Sequence, residues 1–113
     1  MPEYVRQVDP TEFELVVANG ATTTAALDLG GRVLCGAFLP ASFEGTTLQF
    51  TAAPTLAGTY VPVTKEDGTA YAVTIAASKY VMLDPRVLAG VRFVKPVIGT
   101  AQTGANTITL VAR

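Results

Sequence analysis

Polar and apolar residues alternate along much of this chain with a period of two. In TTLQFTA (46–52), Leu48 and Phe50 share one face while Thr47, Gln49 and Thr51 share the other, as in a strand with one buried and one wet face. Tyr71, Val73 and Ile75 repeat the pattern, as do Ile108, Leu110 and Ala112. RVLCGAFLP (32–40) is apolar at nearly every position, which predicts a strand covered on both faces. Glycines and prolines interrupt these runs roughly every eight to twelve residues, the rhythm of a sandwich or barrel. Strands are predicted over 13–18, 25–29, 33–39, 46–52, 60–64, 71–75, 80–83, 91–95 and 107–112.

Helical spacing is missing except in DPRVLAG (84–90). There Asp84 suits an N-cap, Pro85 the first helical position and Gly90 the closing turn. The fold class predicted is all-β: a single antiparallel β-sandwich of jelly-roll type, with eight or nine short strands and one helical turn near 84–90.

At 113 residues the chain is long enough for one domain with its own core. Residues 1–12 carry four charges and two prolines outside the strand pattern, so they are read as an N-terminal arm leading into a sandwich over 13–113. The opening MPEYVRQVDP lacks the basic start and apolar stretch of a secretion signal. The longest apolar stretch, 33–43, is much shorter than the roughly 20 residues of a spanning helix. The expectation is a chain made in the cytoplasm that does not cross a membrane.

Composition adds a second theme. Half of the residues are hydrophobic and only 15% are charged, against about a quarter in soluble domains. Runs such as ATTTAA (21–26) are built from small side chains. Surface of this kind is expected where copies or partners pack together, because interface cores are depleted of charge. The eight cations and nine acids are scattered, giving a net charge of −1, so no basic stripe is present for nucleic acid or an anionic membrane.

Candidate chemistry is sparse. With no histidine, the usual general base, zinc ligand and nucleophile partner are all missing. Cys35, the only cysteine, lies in an apolar run and is read as a small core residue. KEDGTA (65–70) is read as a hairpin around Asp67-Gly68, since a calcium loop needs oxygen ligands spread over about twelve residues. Gly30-Gly31 is read as a tight turn. No catalytic residue, metal ligand or cofactor-binding residue is assigned.

The densest group of charges is YVMLDPRVLAGVRFVK (80–95). Asp84 caps the turn, with Arg86 or Arg92 as an ion partner, and Arg92 is placed on the face opposite Val91 and Phe93. Arginine and tyrosine are the residue types that most often anchor interfaces. Arg86 and Arg92 in this corner, with Tyr4 and Arg6 in the arm, are therefore the candidate interface residues.

The segments LDLGGRVLCGAFLPASFEGTTLQFTAA, GTYVPV, YVMLDPRVLAGVRFVKPVIGTA and TITLVAR resemble small β-sandwich virion proteins of tailed bacteriophages over residues 27–113. The shared pattern is a strand after a Gly-Gly-Arg turn, a Leu-x-Phe-x-Ala strand, an LDP corner and a terminal TITLV strand. TLAGTY departs from it, where related sequences tend to carry a longer polar turn. The resemblance implies a structural protein of the virion, of head-decoration, head-fibre-base or tail-associated type, without catalytic residues or cofactor. Its implied partners are major capsid or other virion subunits and further copies of itself, with a trimer favoured. The alternative is a carbohydrate-binding module that offers tyrosines to sugar rings.

Overall fold

The computed structural model describes residues 11–113. Nine strands and one helical turn lie among them: β1 (Thr11–Val17), β2 (Leu27–Asp28), β3 (Leu34–Phe38), β4 (Thr47–Ala53), β5 (Val61–Pro62), β6 (Ala72–Thr74), β7 (Tyr80–Met82), α1 (Pro85–Leu88), β8 (Phe93–Ile98) and β9 (Asn106–Ala112). All strand pairs are antiparallel. One sheet has the order β1-β9-β3-β7; the other has β2-β8-β4-β5, with β6 also on β4.

This order is that of a jelly roll. β1 pairs with β9, β2 with β8, β3 with β7, and β4 with β5 and β6, as if one long hairpin had been wrapped so that β9 meets β3 and β8 meets β4. β5 and β6 occupy a single strand position along β4, interrupted by the 64–70 excursion. Tyr71 N donates to Val63 O at 3.0 Å and closes its neck. The domain assignment 13–113 starts two residues late, because Thr11 and Glu12 already pair with Ala112 and Val111.

The core lies between the sheets. Val17, Leu34, Ile108 and Leu110 from one meet Leu48, Phe50, Val94 and Ile98 from the other, all buried. The alternation read in 46–52 holds, with burial at Leu48 and Phe50, and that in 107–112 holds at Ile108, Leu110 and Ala112, although Val111 between the last two is buried as well. Between Leu34 and Gly36 the register with β9 shifts by one, leaving Cys35 as the extra residue of a β-bulge.

Two strand assignments change. β8 runs through Pro96 to Ile98 instead of stopping at Lys95. Phe50 O accepts from Val63 N, so the Phe50–Pro96 pair leaves the proline nitrogen facing away from β4. There β2 has already ended, and Pro96 O takes the Thr23 hydroxyl at 2.8 Å. A missing N–H at that position breaks no ladder bond. Phe93 lies outside the core: Val94, Pro96 and Ile98 point inward, while Phe93 is half-buried on the outer face.

The second change concerns β3. Leu34 and Ala37 are fully buried, but Phe38 is 46% exposed, so among the described residues its outer face is open. Apolar runs do not distinguish a strand covered by its own fold from one left for a partner.

Candidate functional site

The corner at 84–90 forms as its residue types dictate. Asp84 is extended, its carboxylate accepts from Arg86 N at 2.9 Å, and Pro85 opens the single turn α1. Gly90, at φ +84°, returns the chain toward β8. Asp84 N donates to the Tyr71 hydroxyl at 2.8 Å, which fixes the corner to the buried Tyr71 ring.

The charges divide into two separate pairs. Arg86 Nε lies 3.4 Å from Asp84, with the Arg86 side chain 91% exposed. Arg92 instead reaches Asp28 at 2.9 Å, and its guanidinium lies 4.8 Å from the centroid of the Phe93 ring. The structure therefore places Arg92 beside Phe93, correcting the expectation of opposite faces. A strand beginning at Phe93 releases Arg92 from the alternation. Tyr4 and Arg6 lie outside the described residues.

The Arg86 N–H, then its guanidinium, holds the Asp84 carboxyl below the ordinary range. Arg92, followed by Gly30 N, does the same for Asp28, and the Arg92 pKa rises in return. Each of these carboxylates stays ionised at neutral pH. They can hold cations and accept hydrogen bonds, while a general acid working near neutrality needs a raised pKa.

A cleft of about 490 Å³ lies between the 64–66 segment and the corner, lined by Thr64, Lys65, Glu66, Asp84, Arg86 and Val87. Four of its six lining residues are charged, their charges balance and Asp84 is already engaged, whereas ligand pockets are lined predominantly by apolar side chains. A second cleft, of about 270 Å³, opens where β5 and β6 part over Phe50, and Gln49, Val63 and Val97 line it. Among the described residues no group of three or more His, Cys, Asp or Glu side chains is placed to hold a metal.

The apolar surface lies elsewhere. Phe38 on β3 is directly opposite Tyr80 on β7, with ring centroids 4.5 Å apart. Gly36 faces Met82 in the same register. A Cβ at Gly36 would collide with the Tyr80 hydroxyl oxygen, so the tyrosine lies across the glycine. Tyr80 is 49% and Met82 79% exposed. Tyr80 and Met82 were legible as part of a strand, but the aromatic face they join depends on the β3 bulge that turns Phe38 outward.

At one end of the sandwich, sequence reasoning missed Gln102. It is 1% exposed; its Nε2 donates to Glu44 O and Thr100 O, and its Oε1 accepts from Glu44 N and Asn106 Nδ2. Its backbone also joins Gly20 and Ala21. Three loops are thereby tied together, and among the described residues no buried side-chain polar atom lacks a partner. AQTGAN looks like an ordinary polar loop, so the sequence carries no sign of this role.

Comparison with protein family models, curated proteins and solved structures gives no match.

Proposed function

We propose that this chain is a non-enzymatic structural subunit of a tailed-phage virion, which packs against capsid or other virion subunits and against its own copies. The observation that carries this reading is the uncharged outer patch of Phe38, Tyr80 and Met82, an open apolar area in a chain with only 15% charged residues. Contiguous exposed apolar surface marks a place where another surface docks. The jelly-roll order adds support at the level of fold alone, since capsid and lectin domains both use it. Between those two uses, the resemblance of the sequence segments to virion proteins favours the first. A role without catalysis is supported by the lack of histidine and by carboxylates held ionised at neutral pH.

The decisive experiment expresses a tagged copy in cells producing phage particles and bands the particles on a density gradient. The tag is expected with the particles at a fixed ratio to the major capsid protein. A tag found only in the soluble fraction, together with binding of the pure protein to a glycan array, would replace this reading with the carbohydrate-binding one.

A further inference from the structure

A jelly roll exposes four sheet edges, and three of them here carry devices that discourage pairing. β1 presents Glu12 and Glu14, β2 is two residues long and ends in the ion-paired Asp28, and the β5–β6 edge contains Pro62 and is broken by the 64–70 hairpin. Charge, brevity, proline and local covering are the means by which natural sheets block edge-to-edge contact. β7 has none of these beyond its length: Tyr80-Val81-Met82 is uncharged and apolar.

The backbone of β7 shows what fits there. Leu83 N donates to Cys35 O, and Leu39 N donates to Lys79 O, so residues 79 and 83 turn their ladder groups toward β3. By the alternation of an antiparallel pair, Tyr80 and Met82 turn theirs to the open edge. A second copy of β7, antiparallel to the first, can use all of these groups in one register. Tyr80 lies opposite the partner's Met82, Met82 opposite the partner's Tyr80, and a two-fold axis passes through Val81. Four N–H to C=O bonds result.

We propose that β7 is a homodimer edge, at which two copies of this chain pair about a two-fold axis to form one continuous eight-stranded sheet. The side chains complete the match. In this register the partner's Met82 lies across the edge from Tyr80, whose ring leans over Gly36 and against Phe38 and so leaves the edge itself clear. Lys79, which is exposed, comes opposite the partner's Leu83, so no like charges meet across the pair. Pairing at the edge buries the three-residue strand backbone and the near sides of Tyr80 and Met82, while Phe38 stays on the open face of the continuous sheet, so the contact is smaller than the roughly 1,200 Å² of stable specific interfaces. Such a dimer forms reversibly with concentration. β1 is a poorer match for β7, since Glu12 and Glu14 would meet the apolar row; the edge thus favours a two-fold pair over a ring of three.

The contact belongs to the isolated chain and holds whether or not the chain sits on a virion. Sedimentation equilibrium on the purified full-length protein is expected to give a monomer–dimer equilibrium. Met82→Lys and Tyr80→Lys each weaken it at least tenfold, with unchanged circular dichroism. In a Cys35→Ser background, Val81→Cys is expected to give a covalent dimer on oxidation, because the 81–81 pair is a close, non-hydrogen-bonded one whose spacing suits a disulfide. A strictly monomeric protein, or an oligomer unchanged by Met82→Lys and not trapped by Val81→Cys, overturns the proposal. Absence from particles would count against the virion role alone.

Discussion

The Gln102 side chain lies across the backbone of Glu44 as a strand would. Its Nε2 donates to Glu44 O at 2.6 Å, while its Oε1 accepts from Glu44 N at 3.0 Å. A buried side-chain amide thus satisfies both main-chain groups of a residue in a loop that has no ladder partner there.

Replacing Gln102 by Ala orphans those two groups, and the Asn106 amide loses one acceptor. Leaving buried polar groups unpaired costs about 1–3 kcal/mol each, so a loss of about 2–4 kcal/mol is expected in urea denaturation. Gln102→Glu is expected to destabilise as well, since a carboxylate oxygen would face the carbonyls of Glu44 and Thr100. Stability unchanged in both variants would show that the loops hold together without this residue.

Phe50 and Phe93 separate the inner and outer faces of the second sheet. Phe50 is 1% exposed, and Phe50→Ala is expected to cost about 3–5 kcal/mol through transfer and cavity. Phe93, half-buried beneath Arg92, loses less on the same change. Equal losses by calorimetry would return Phe93 to the core.

Glycine at 36 keeps the outer face of β3 clear for the Tyr80 ring. Gly36→Ala is expected to displace that ring from Phe38 while the fold survives, because the obstacle is the far end of a flexible side chain. Loss of the ring-current shifts between Phe38 and Tyr80 in NMR spectra is the sign to look for; unperturbed shifts would place the tyrosine elsewhere.

Acid should weaken the fold through its exposed carboxylates. The Thr103 hydroxyl, followed by its N–H, holds the Glu44 pKa down, and Thr69 does so at Asp67, alongside Arg92 at Asp28 and Arg86 at Asp84. Because each folded pKa is depressed, the stability it contributes is complete above the unfolded value, near 4, and is lost as the pH falls through the folded one. Stability should stay level from about pH 5 to 8, a window in which histidine would titrate in other chains. Arg92→Ala should raise the Asp28 pKa toward its ordinary value by NMR titration. An unmoved Asp28 would show that Gly30 N holds it unaided.

The period-two alternation by itself determined the strands, because side chains on a pleated backbone must alternate whatever they pack against. Residue types determined the corner at 84–90: capping by Asp84, the fixed φ of Pro85 and the left-handed Gly90 are local effects that need no distant partner. Pairing and facing were decided by the tertiary structure. The path of β8 through Pro96 depends on β2 ending early, the Arg92–Asp28 pair joins residues 64 apart, and Phe38 faces outward because a single bulge at Cys35 reverses the alternation after it. Gln102 is the clearest case. Nothing in a polar loop marks one amide for burial until three loops close around it, since a hydrogen-bond partner far along the chain exists only once the fold has formed.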